Sequence, residues 1–78
     1  RDRRINLMEK GKTYYLLWVA PENNFVSIDT LIYQYNFTFI NKLGKLIDVD
    51  KRYEKLIFED LETARLAADK FLDKNENS

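Results

Sequence analysis

The sequence predicts an α+β domain: a small antiparallel sheet of about four to five strands, open or curled, packed by one C-terminal helix. Three observations predict it. Residues 13–20 read TYYLLWVA, an aromatic run that ends at Pro21. From Thr30 to Ile40 the chain alternates, with Leu31, Tyr33, Tyr35, Phe37 and Phe39 on one side. Asp60–Asp73 carries apolar residues at helical spacing.

The chain has 78 residues, which fits one domain. A domain of this size buries roughly 60–65% of its unfolded surface. Composition is 45% hydrophobic and 33% charged, with two glycines and one proline, as in globular proteins rather than linkers or fibres. The expected organisation is a leader over 1–12, a single domain over 13–73 and a frayed tail over 74–78. Met8 opens MEKGKTYY, a natural start, so residues 1–7 read either as a tag or as an ordered leader. Residues 1–10 also have the pattern of a short helix, with Ile5 and Met8 on one side and Gly11 ending it.

Thr13–Ala20 is the first strand. Tyr14, Leu16 and Trp18 fall on one face, and Tyr15, Leu17 and Val19 on the other. Both faces are apolar. Pro21–Asn24 makes a turn, because Pro presets φ and Asn tolerates positive φ. Phe25–Ile28 pairs back, and the chain is expected to bend near Ser27–Asp29. Asp29–Asn41 then reads as one long strand, with a rival helical turn N-capped by Asp29 over 29–35. Asn41–Lys45 is a hairpin loop with Gly44 at positive φ. Lys45–Val49 is a short strand, and Tyr53–Phe58 runs back after a turn at Asp50–Arg52.

Asp60 N-caps the helix, and Glu62 complements its dipole. At about 100° per residue, Leu61, Ala64, Ala67, Ala68, Phe71 and Leu72 share one arc. Leu66 falls outside it, among Glu62, Asp69 and Asp73.

The chemical inventory is short. The chain has no Cys and no His, so it offers no disulfide, thiolate or imidazole base. Asp48, Asp50 and Glu59 have calcium-loop spacing, but Arg52 and Tyr53 stand where a ligand and a glycine are required. No loop cradles phosphate. No catalytic residue, metal, cofactor or small-molecule substrate is expected. No apolar run reaches the ~20 residues of a membrane span. The lack of cysteine fits the reducing cytoplasm. Asn36-Phe37-Thr38 is a glycosylation sequon, expected mid-strand. Frequent Lys, Asn, Ile, Tyr and Phe point to AT-rich codons, as in low-GC bacteria and their phages or mobile elements.

Lysines and arginines balance aspartates and glutamates at 13 each. Residues 1–12 and 42–55 are net basic, whereas 13–41 and 56–78 are net acidic. Between residues 13 and 41 there is no Lys or Arg, so the aromatic set lacks the cations that hold phosphates beside stacked bases.

Phe58-x-Asp60-x-Glu62-x-Ala64-x-x-Ala67-Ala68, following a strand, resembles the strand-to-helix corner of AP2-type and integrase arm-type DNA-binding domains over about eleven residues. The resemblance implies a three-stranded sheet that reads DNA, backed by one helix. Lys42, Lys45, Lys51, Arg52 and Lys55 are then the phosphate-binding candidates.

The leading expectation is different. One helix covers one sheet face, so the face carrying Tyr15, Leu17 and Val19 is left to be closed by curling of the sheet, by residues 1–10 or by another polypeptide; a protein partner or a second copy of the chain is the leading expectation, with Leu66 as a further contact. A small non-catalytic protein-interaction domain is the expected function, and DNA binding is the alternative.

Overall fold

The computed structural model describes residues 8–77. Five strands form one antiparallel sheet, in the order β4-β3-β2-β1-β5. They are β1 (Thr13–Ala20), β2 (Phe25–Tyr35), β3 (Thr38–Ile40), β4 (Leu46–Asp48) and β5 (Ile57–Phe58). One helix, α1 (Leu61–Asn77), closes the chain. The α+β architecture expected from the sequence is therefore present.

The aromatic run forms β1 and pairs with β2 along its full length, from Thr13 opposite Ile32 to Ala20 opposite Phe25. Pro21–Asn23 makes a single 3-10 turn, and Asn24 reverses the chain at φ 52°. β2 then runs eleven residues without the bend expected at Ser27–Asp29. The continuous pairing with β1 holds that segment straight.

The long strand expected to reach Asn41 instead folds back at Asn36-Phe37, and so does not exist as one element. Both residues have positive φ, 47° and 60°, as in a two-residue hairpin turn. Asn accepts this conformation, whereas a bulky Phe resists it by about 1–2 kcal/mol. Phe37 is 7% exposed and sits in the main core. Burying such a ring contributes about 1.5–3 kcal/mol, enough to outweigh the strain. A register shift between Tyr33 and Tyr35 precedes the turn, and the Thr38 hydroxyl donates to the Tyr35 carbonyl. The sequon thus lies on a turn, with Asn36 exposed, rather than mid-strand.

A second difference lies at Tyr53–Phe58. Lys51–Leu56 is a 3-10 segment, capped by the Asp50 carboxylate, which accepts from Arg52 N–H at 3.0 Å. Only Ile57–Phe58 is strand. Tyr53, Leu56 and Ile57 all pack against the core. That spacing suits a helical turn and not an alternating strand.

The core lies on the sheet face bearing Tyr14 and Leu16. Tyr14, Leu16, Leu31, Phe37, Phe39 and Val49 are buried together. Met8, Tyr33, Ile47, Tyr53, Leu56 and Ile57 pack around them. Phe39 is fully buried and meets Tyr33 edge-on at 5.2 Å between centroids. The N-terminal segment is fixed by the Tyr14 hydroxyl, which accepts from Glu9 N–H at 3.0 Å. Of the helix expected over 1–10, residues 1–7 lie outside the described residues, and residues 8–10 are not helical.

α1 packs on the opposite face, against β2, β1 and β5. Ala64 is fully buried there, and Leu17 of β1 is 2% exposed. Small side chains let the helix lie close to the sheet. The chain itself thus packs on both faces of β1: the 3-10 segment and Met8 on one, α1 on the other, with Trp18 left 37% exposed.

Candidate interaction surface

The residues expected to meet a partner are partly withdrawn. Tyr15, Leu17 and Val19 lie on the face that α1 covers, not on an open one. Leu17 is buried and cannot touch a partner in the folded chain; Tyr15 and Val19 are half-buried. Leu66 remains 58% exposed, because its helical position points away from the Leu61/Ala64/Ala68 stripe.

The uncovered apolar surface lies elsewhere on the same face. The register places Thr13 opposite Ile32, Ile32 opposite Ile40, and Ile40 opposite Leu46. Cross-strand partners project from one face, so these residues form a single row over β1 to β4. α1 packs chiefly on the β2–β1–β5 side, and the row runs out beyond it towards the β4 edge. Ile32 is 38% exposed and Leu46 58%, with Ile40 half-buried between them. Leu43, on the loop joining β3 to β4, is 83% exposed.

That loop is built to hold its shape. The Asn41 side-chain carbonyl accepts from Leu43 N–H at 2.9 Å and from Lys45 N–H at 3.0 Å. Asn41 N–H donates to the Lys45 carbonyl, and Gly44 takes φ 80°. Leu43 is therefore presented on an ordered turn. Sequence reasoning placed Ile32 and Ile40 on the side of an alternating strand opposite its aromatic face, and did not single them out. The signal available was that this side, Thr30 to Ile40, contains two isoleucines.

The basic candidates are not brought together. Lys42 and Lys45 flank the β3–β4 loop, while Lys51, Arg52 and Lys55 sit on the 3-10 segment that packs against β1 and β5. β4 and β5 are opposite edges of the sheet. All five side chains are exposed. Arg52 lies 3.7 Å from the Asp50 carboxylate and 5.3 Å from the Tyr53 ring centroid, and Lys51 lies 5.9 Å from that of Phe37. Trp18 stacks at a tilt on Tyr53, at 5.6 Å, and donates to the Asp29 carboxylate at 3.1 Å.

Among the described residues, no group of three or more carboxylates is arranged to hold a metal ion. Among them, too, no helix is long and apolar enough to cross a membrane. Asp60 is held below the ordinary aspartate range, first by Thr63 N–H and then by the Thr63 hydroxyl. Its carboxylate accepts from Thr63 N–H at 3.0 Å and from the hydroxyl at 2.8 Å. This is an N-cap on an exposed helix end, not an acid–base centre. A group whose pKa falls on folding stabilises the fold above its unfolded pKa and loses that contribution as pH falls through the folded one. Below about pH 4 the thermal midpoint of the wild type should therefore drop towards that of Asp60→Asn, with the largest gap near neutrality. A gap independent of pH, measured by circular dichroism melts, would show that the charged cap contributes nothing.

The resemblance to sheet-type DNA-binding corners rested on the residues that form β5 and the start of α1, and here that corner belongs to a sheet of five strands rather than three. No family model, curated protein or solved structure matches this chain.

Proposed function

We propose that this chain is a non-catalytic protein-interaction domain, and that it meets its partner through the row Ile32–Ile40–Leu46 and the adjoining Leu43. One observation carries the reading: an apolar row crosses β2, β3 and β4 beyond the cover of α1 and continues onto an ordered loop. Contact with a partner recovers about 1.5–3 kcal/mol for each large side chain it buries fully. DNA binding draws less support, since the cations divide between two parts of the fold and one of them is occupied by Asp50.

Affinity capture on the immobilised chain tests the reading, with Leu43→Lys/Leu46→Lys as the comparison. Both side chains are exposed, so the variant should keep the wild-type melting curve. Proteins retained by the wild type and lost by the variant are the expected result. Identical retention by the two would remove this surface from the interaction.

A further inference from the structure

The backbone along β2 points to a second surface. Gly11 N–H donates to the Tyr33 carbonyl at 2.8 Å, and Tyr33 N–H donates to the Lys12 carbonyl at 3.0 Å. Tyr33 therefore turns its main-chain groups towards β1. Main-chain groups alternate along a strand, so Leu31, Asp29, Ser27 and Phe25 do the same. Ile32, Thr30, Ile28 and Val26 turn theirs the other way. Ile32 meets Ile40 of β3. There β3 ends, and the chain leaves at Asn41 into its loop. Among the described residues, no strand pairs with Val26, Ile28 and Thr30 on that side. Nor, among the described residues, does any main-chain or side-chain hydrogen bond reach them from that side.

Folded proteins normally protect such an edge with Lys, Pro or a bulge. Residues 25–31 read FVSIDTL, with no Lys, no Pro and no Gly. The irregularity in β2 lies at Tyr33/Tyr35, within the part that β3 already covers. The single charge, Asp29, is on the core side of the sheet and accepts from Trp18 Nε1. Water can satisfy such a row group by group, but another extended backbone satisfies it along its whole length at once.

We infer that the β2 edge pairs antiparallel with the β2 edge of a second copy, about a two-fold axis at Ser27. This goes beyond the interaction reading above and stands on a separate observation, the unpaired main chain of β2. The register follows from the surroundings. Asn41 already occupies the place opposite Leu31, next after the Ile32–Ile40 pair. A two-fold at Ile28 would put Phe25 of the second copy in that same place. A two-fold at Ser27 sets Val26 opposite Ile28 twice, making about four main-chain hydrogen bonds. Asn24, where φ turns positive and the strand begins, then falls opposite Thr30 and carries the incoming chain away before Asn41. Asp29 faces Phe25, which is 54% exposed in one copy, so no like charges oppose each other. Both helices fall on the same side of a continuous sheet.

Ser27 would meet its own copy as a non-hydrogen-bonded pair, with Cα atoms about 4.5 Å apart, within disulfide range. The chain has no cysteine, so Ser27→Cys supplies the only thiol. Mild oxidation should convert it to a covalent dimer, whereas Phe25→Cys should stay monomeric. Two thiols introduced at position 25 would be roughly 13 Å apart at about 3.3 Å per residue. Sedimentation of the cysteine-free wild type should show dimers at about micromolar to tens of micromolar concentration, and Ser27→Lys, which sets two cations face to face, should raise the dissociation constant at least about tenfold. A wild type that stays monomeric at hundreds of micromolar overturns the inference. So does equal cross-linking at residues 25 and 27. Either result leaves the capture experiment on Leu43 and Leu46 standing, and loss of captured proteins there does not touch the strand pairing.

Discussion

Phe39→Ala should destabilise the domain by about 3–5 kcal/mol. The ring is fully buried between Tyr33 and the rest of the main cluster, and its removal leaves a cavity that a three-residue strand cannot close. For a chain of this length total stability is on the order of 4–12 kcal/mol, so the variant loses much of that margin. Urea unfolding followed by Trp18 fluorescence is the direct measurement, since the chain has a single tryptophan. Leu66→Ala, at a position 58% exposed, is the matching control and should move stability by no more than about 0.5 kcal/mol. Comparable losses at the two positions would contradict the location of the core.

The second large effect lies at the turn. Phe37→Ala removes a buried ring and should cost about 3–5 kcal/mol, while keeping a side chain at φ 60°. Phe37→Gly removes the same ring but relieves the left-handed strain, at the expense of a more flexible unfolded chain. The balance favours glycine over alanine by about 0.5–1 kcal/mol, the reverse of the usual order within a sheet. Denaturation midpoints of the two variants decide the matter. An alanine variant as stable as the glycine one would mean that residue 37 does not carry positive φ in the native state.

Much of the architecture was legible because local signals agreed. TYYLLWVA could hardly be anything other than a strand, and Asp60 followed by a stripe of alanines and leucines marked the helix and its start. Gly44 marked the β3–β4 loop. The failures have physical causes. Phe37 reads as a strand residue, and only tertiary burial makes its left-handed conformation tolerable, so the turn beside Asn36 was hidden. Tyr53, Leu56 and Ile57 have a helical spacing too short to recognise, and the segment read as a strand. The pattern of β1 showed that it is apolar on both sides. Nothing in that pattern told that Leu17's side would receive α1, because that depends on where the chain crosses after Phe58.

The candidate surfaces were harder still to read. The row at Ile32, Ile40 and Leu46 exists only once two registers are known. The unpaired edge of β2 exists only because β3 stops at Ile40. Neither is a property of composition or of periodicity within a single segment.

The order of the sheet also sets how the domain comes apart. β1 to β4 form a meander whose neighbours in space are neighbours in sequence, whereas β5 reaches back to β1 through only two residue pairs, Tyr15–Phe58 and Leu16–Ile57. Those pairs, with an ion pair between Lys12 and Glu59 at 3.6 Å, fasten the start of α1 to the sheet. The C-terminal third, which joins the sheet last and by the shortest strand, is therefore expected to open before the meander does. Its amides should then exchange with deuterium faster than those of β1 and β2, and each such opening would uncover Leu17.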